Sequence, residues 1–308
     1  MQRLKRYLRR GLFGRREGRV AGFATLRLRL LTRADLAFAD SVRALAGWNQ
    51  TTDDWQRFLT IEPEGCFLAE WNGAPAGTAT TTVYGPELAW IGMVLVHPEF
   101  RRRGIGRALL QRCIEYLRVR GVRCLKLDAT PLGKKVYDDL GFKDEWTLTR
   151  WECAKCRPRP TVFDSRIRTW RNSDARGIDR LDSAVFGVPR SKILQVFAQQ
   201  SRIALVLESQ PGRFAGYGLI RAGSQALCLG PVVAGSADAG VRLVEALVAQ
   251  NTGQMIFWDV PDQNDAAVKC AKEHGFTAQR PLTRMYLGEN SAPGDPQKQF
   301  ALAGPELG

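Results

Sequence analysis

The 308-residue chain has only two histidines, His97 and His274. That excludes a metal centre built on histidine. It also disfavours a Ser-His-Asp hydrolase, since no GxSxG nucleophile turn is present either. Cysteine is sparse and odd in number: seven, scattered along a long chain. This argues for reduced thiols and a cytoplasmic location rather than a disulfide scaffold. Cys153 and Cys156 form a lone CxxC with no second pair or nearby histidine to complete four zinc ligands, so no metal is expected. No apolar run reaches the roughly 18–20 residues needed to cross a bilayer, so no membrane span is expected.

What remains is ordinary globular composition, with 44% hydrophobic and 25% charged residues. At roughly 100–200 residues per domain the length suggests two domains. The formal net charge of +14 sits in two places. Residues 1–20 carry eight basic side chains against Glu17, and residues 101–123 carry eight arginines against Glu115. Residues 1–24 read as a basic disordered tail. Leu4, Tyr7 and Leu8 recur at helical spacing there, which leaves a membrane-surface, nucleic-acid or organelle-targeting segment as alternatives.

From Ala24 the pattern becomes globular. ATLRLRLL reads as a strand, Thr32 caps a helix to about Ala46, and a second helix starts near Asp53 or Asp54. Asn72-Gly73 marks a hairpin turn between two strands. AWIGMVLV is a buried strand, Arg107–Arg118 an amphipathic helix, VRCLKLDAT a strand, KKVYDDL a helix and LTRWEC a closing strand. Residues 153–164 read as a linker, 165–289 as a second globular unit, and 290–308, rich in Pro and Gly, as a disordered tail. The second unit repeats the first. Gly230 corresponds to Gly92, Asp259 to Asp128, Gly275-Phe276 to Gly141-Phe142, and the LTRM of residues 282–285 to the LTRW of 148–151.

The chemistry concentrates in Val94–Phe142. A strand ends at His97-Pro98, Arg101-x-x-Gly104-x-Gly106 follows, and a helix begins. Helix N-termini expose unsatisfied amides, glycines let a phosphate approach the backbone, and arginines add charge-assisted hydrogen bonds. The alternative is a Gly-rich turn with solvated arginines. The Walker A lysine and Ser/Thr are missing, Leu109 stands where a third Rossmann glycine belongs, and no aromatics interleave the arginines as nucleic-acid binding would favour.

The segments VLVHPEFRRRGIGRALL, KLDAT and YDDLGF resemble the GCN5-related N-acetyltransferases, whose pyrophosphate loop is Q/R-x-x-G-x-G/A. The whole chain is similar to the two-domain subgroup with a divergent second copy. The resemblance implies an α/β fold with a mixed sheet in each of two copies, 25–152 being the catalytic domain and 165–289 the divergent one. It implies acetyl-CoA as co-substrate, bound by Arg101, Arg102, Arg103, Gly104, Ile105, Gly106 and Arg107 at the pyrophosphate and by Val94 and Val96 along the pantetheine arm. It also implies transfer to a primary amine, expected to be that of a small molecule; a non-catalytic acyl-CoA sensor is the alternative.

Within that reading Tyr137 corresponds to the tyrosine that protonates the departing thiol, or else packs its helix. Asp128 binds or deprotonates the amine, or holds a loop ahead of Pro131. Asp53 and Asp54 contact a cationic acceptor or cap a helix, and Trp48, with Trp55, walls the acceptor pocket or belongs to the core. In the second copy the stretch AGSADAGVRL has no arginine before Arg242 and no GxG, and Ala271 stands in Tyr137's place, so no productive cofactor binding is expected there. That copy would complete the acceptor pocket or only stabilise the first.

Overall fold

The computed structural model describes residues 25–156 and 164–308. The expected N-terminal tail and most of the linker lie outside the described residues. In the first half, β1 (Leu26–Leu30), β2 (Cys66–Trp71), β3 (Ala74–Val83) and β4 (Leu88–Val96) run antiparallel in that order. The β2–β3 turn is the Asn72-Gly73 dipeptide, with φ of 52° and 83°, the left-handed pair such a turn demands. Helices α1 (Leu36–Leu45) and α2 (Thr52–Ile61) cover one face. Helix α3 (Ile105–Val119) covers the other, burying Leu109, Leu110, Cys113, Ile114 and Leu117 on its apolar stripe. Strand β5 (Cys124–Ala129) lies parallel to β4, and α4 (Pro131–Asp138) follows, capped by Thr130, which accepts from the Gly133 amide at 3.3 Å.

The second half repeats this plan with β7 (Ile167–Thr169), α5 (Ala175–Phe186), α6 (Ser191–Gln200), β8 (Ile203–Gln210), β9 (Arg213–Arg221), β10 (Leu227–Ala234), α7 (Ala237–Ala249), β11 (Ile256–Pro261) and α8 (Asp265–Glu273).

The closing strands depart from two self-contained copies. Strand β6 (Lys143–Cys153), which the sequence reading assigned to the first domain, pairs with β11 of the second. Strand β12 (Thr277–Gly288), from the second half, pairs with β5 of the first. The two also pair with each other, so the described strands form one sheet in the order β1-β2-β3-β4-β5-β12-β6-β11-β10-β9-β8-β7. The exchange is locked by two matching ion pairs. Arg284 on β12 grips both oxygens of Asp128 on β5 at 2.8 and 2.9 Å, and Arg150 on β6 grips both oxygens of Asp259 on β11 at 2.7 and 2.6 Å. The repeated Asp and the repeated LTR of the sequence are therefore reciprocal partners across the copies.

The expectation of a disordered tail at 290–308 is overturned. Phe300, Ala301, Leu302, Ala303 and Leu307 are all buried. Strand β13 (Gln299–Ala301) pairs antiparallel with β10. Composition suggests disorder only where a segment has no surface on which to bury its apolar groups; this one has a groove running through both copies. Among the described residues no helix is long and apolar enough to cross a membrane.

Candidate active site

The site begins with a bulge in β4. Thr80 opposes Gly92 while Thr78 opposes Leu95, so β4 carries one extra residue, and Met93 takes φ of 50°. Beyond it β4 and β5 part. They pair only through Leu88–Trp90 with Cys124–Lys126. The resulting splay opens into a cavity lined by Gly92, Met93 and Val94 on one side and Leu127, Asp128 and Thr130 on the other.

Past Val96 the chain turns through Arg102 (φ 61°) and Gly104 (φ 77°) into α3. Ala108 is the first helix residue whose amide reaches a carbonyl, donating to Gly104 at 3.0 Å. The amides of residues 105–107 lie within the first turn, where an α-helix leaves its N–H groups unsatisfied. That turn carries no acidic residue. Arg101, Arg102, Arg103 and Arg107 are exposed around it, whereas the Ile105 side chain is core and only its amide faces the loop. Gly106 lies against Val96; a Cβ there would stand 3.6 Å from its side chain. Arg103 stacks over Trp71 and Phe100. The equivalent turn of the second copy is closed: Ser236 caps α7 by accepting from the Ala239 amide, and Asp238 adds a negative charge to the first turn.

Tyr137 on α4 lines the cavity. Burial, with a contribution from Cys113, pushes its phenol up to about 12, so it stays protonated and able to donate near neutral pH. Asp128 also lines the cavity, but both its oxygens are held by Arg284, itself sandwiched between Trp90 and Trp146. Burial raises the Asp128 pKa against the pull of Arg284. The geometry therefore places Asp128 in the strand exchange, with neither oxygen free of Arg284. Nor does Asp128 hold the loop ahead of Pro131, which Thr130 caps instead.

Trp48 lines the cavity. Its loop is pinned to the second copy: Asn49 donates to the Ala226 carbonyl at 2.9 Å and accepts from the amides of Gln225 and Ala226. Asp53 is exposed and lines neither this cavity nor its neighbour. Asp54 closes the cap of α2 with Thr51, pairs with Arg57 and faces the adjoining cavity. Trp55 is fully buried core. Among the described residues no group of His, Cys, Asp and Glu could hold a metal.

Gln50, Arg280 and Glu306 also line the cavity and were not among the expected site residues. Arg280 arrives on β12 from the far half of the chain, and its Nε is buried with no hydrogen-bond partner among the described residues. Glu306 arrives on the tail. No local pattern marks either one.

Comparison with known proteins agrees with this geometry. The family model described as "Acetyltransferase (GNAT) family" matches residues 35–142, and that described as "Acetyltransferase (GNAT) domain" matches 178–301. The chain belongs to the GNAT acetyltransferase family. The second match extends to residue 301, into the segment read as a disordered tail. This GNAT chain is 29% identical over 189 residues to the N-acetyltransferase YitH of Bacillus subtilis, covering 61% of the chain and 66% of that protein. It is 27% identical to the holothin acyltransferase of a Pseudoalteromonas species over 85% of the chain and 87% of that protein. It is 37% identical over 109 residues to the ribosomal protein bS18 alanine N-acetyltransferase of Escherichia coli, covering 33% of the chain and 68% of that protein. In fold, a putative acetyltransferase crystal structure from Pyrococcus horikoshii superposes with TM-score 0.78 at 23% identity, over 92% of this chain and 96% of that one.

Proposed function

We propose that the first copy of this GNAT protein transfers the acetyl group of acetyl-CoA to the primary amine of a small molecule. The observation that carries this reading is the continuity of the site: an open helix N-terminus ringed by arginines leads along a splayed strand into a cavity where Tyr137 waits. A pyrophosphate on the amides of residues 102–107 would leave the pantetheine arm to pair with Val94 and Val96, as a peptide adds to a sheet edge. The thioester would then stand between β4 and β5. Tyr137 would protonate the departing thiolate.

A small acceptor suits the cavity because the second copy and the tail roof it. Arg280, Pro305 and Glu306 all line the chamber from outside the first copy, and the second copy fixes the Trp48 loop. Arg280, buried without a hydrogen-bond partner at Nε, suits an acceptor that carries an anionic group beside its amine. Buried placement and the nearby Arg150 draw its pKa down to about 10, so it remains charged at neutral pH, and an acceptor carboxylate would complete its pairing.

The test is thiol release from acetyl-CoA over a panel of amino acids, amino sugars, polyamines and peptides. Gly104→Glu should abolish acetyl-CoA binding in calorimetry while leaving circular dichroism unchanged, because a carboxylate would occupy the anion cradle. Tyr137→Phe should lower kcat by about 10–100-fold, the low end of acid–base effects, since a thiol with a pKa near 8.5 is already a fair leaving group. Undiminished turnover by Gly104→Glu would overturn the cofactor assignment.

A further inference from the structure

The tail fills, in the second copy, the gap that the cofactor arm would fill in the first. Strands β10 and β11 pair only through Leu227–Leu229 and then part, as β4 and β5 do. Into that second splay runs residues 297–302. Val232 and Val233 pair with Ala301 and Gln299 on one edge. On the other edge Trp258 donates to the Phe300 carbonyl at 2.8 Å, Leu302 donates to the Asp259 carbonyl at 2.9 Å, and Asn264 donates to the Gln297 and Gln299 carbonyls. The chain then crosses the first copy at Gly92, where a Cβ would stand 2.7 Å from the Glu306 carbonyl. Trp90, Tyr84 and Arg190 hold the carbonyls of Pro305, Leu307 and Gly308 at 2.9, 2.6 and 2.7 Å. Between these anchors the Glu306 side chain is delivered to the wall of the cavity that holds Tyr137.

We propose that residues 297–308 are a built-in segment that occupies the second copy's cofactor cleft through β13 and presents Glu306 to the first copy's transfer cavity as the group that accepts the acceptor's ammonium proton. This rests on the transferase reading above. Glu306 lines both the transfer cavity and the adjoining chamber, so a proton taken in the first has an exit through the second. One carboxylate oxygen accepts from Gln50 at 2.7 Å, and among the described residues no other side chain hydrogen-bonds to the group. The charged and titratable groups around it are Asp54 on α2, Arg221 on β9, Cys228 on β10, Arg150 on β6, Asp259 on β11, Arg280 on β12, Asp128 on β5 and Tyr137 on α4. Burial and Asp54 outweigh the nearby arginines and lift the carboxyl to about 7, where it can trade a proton with an ammonium at neutral pH.

The step balances as follows. Glu306 takes one proton from the ammonium. The freed lone pair forms the C–N bond at the thioester carbon, the carbonyl π pair moving to oxygen. Collapse re-forms C=O and breaks C–S, and the departing sulfur takes its proton from Tyr137. The second amine proton returns to the Tyr137 phenolate through solvent, and Glu306 releases its own, leaving amide, CoA thiol and one proton.

The experiment compares wild type with Glu306→Gln in the full chain, using the best amine of the panel and, in parallel, hydroxylamine, which is already a neutral nucleophile at neutral pH. For the protonated alkylamine, Glu306→Gln should lose about 10²–10⁴-fold in kcat/KM, and the acidic limb of its pH profile near 7 should vanish. Hydroxylamine turnover should stay within about three-fold of wild type, a split that damage to the fold would not produce. An unchanged acidic limb, or equal losses with both nucleophiles, would overturn the assignment of Glu306. A wild-type protein that acetylates neither nucleophile would instead remove the transferase reading on which it rests.

Discussion

Replacing Asp128 with asparagine separates a catalytic carboxylate from one that holds the strand exchange together. Asp128 and Arg284 are 0% and 3% exposed, and each guanidinium–carboxylate contact is a charge-assisted hydrogen bond. Removing one partner of such a pair strands the other charge in a dry site, at a cost of about 3–5 kcal/mol. The pseudo-symmetric pair supplies an internal control. Asp259 and Arg150 are 8% and 4% exposed, and Asp259 lines the neighbouring chamber, not the one with Tyr137. Asp128→Asn and Asp259→Asn should therefore each destabilise by about 3–5 kcal/mol in urea unfolding. Arg284→Met with Asp128→Leu should recover most of the loss, because a matched apolar pair leaves no buried charge behind. Each exchanged strand pairs only with strands of the opposite half, so unfolding followed by intrinsic fluorescence and by circular dichroism should coincide in one transition. The reasoning is refuted if Asp128→Asn leaves the unfolding midpoint within error of wild type while kcat collapses: Asp128 would then be the base and Arg284 a bystander.

Three further outcomes follow from the same contacts. Glu306 has a folded pKa of about 7 against an ordinary 4.5, so its protonated form stabilises the native state fully below about pH 4.5 and that contribution is lost as pH rises through 7. The loss amounts to about 3 kcal/mol, and Glu306→Gln should abolish that part of the pH dependence in denaturant titrations. Arg280→Met should raise KM for carboxylate-bearing acceptors by about ten-fold or more, and change KM for neutral amines little, in steady-state assays. Phe300→Ala empties a buried aromatic site against Gly240 and should cost about 3–5 kcal/mol, with faster proteolysis of the tail in timed digests.

Much of this protein was written locally. The glycine spacing and the arginines before α3 mark an open helix N-terminus ringed by positive charge, because a helix N-terminus and a left-handed glycine act over one turn. The repeat was legible in the order of Gly92, Asp128 and LTRW against Gly230, Asp259 and LTRM, since each copy keeps the residues its own strands need. The second copy's departure from the loop pattern was legible too, in the absence of GxG and of an arginine ahead of its helix, and in Ala271. What tertiary structure alone decided is which copy each closing strand completes, and what the tail does. Strand pairing is chosen by partners more than a hundred residues away, and β6 and β12 carry equivalent LTR segments that either β5 or β11 could accept. The tail reads as disordered because its few apolar residues find partners only in a groove built by both copies. Glu306 is an unremarkable glutamate in sequence, and becomes a cavity carboxylate only because Gly92 and Gly230 let the tail lie against both bulged strands.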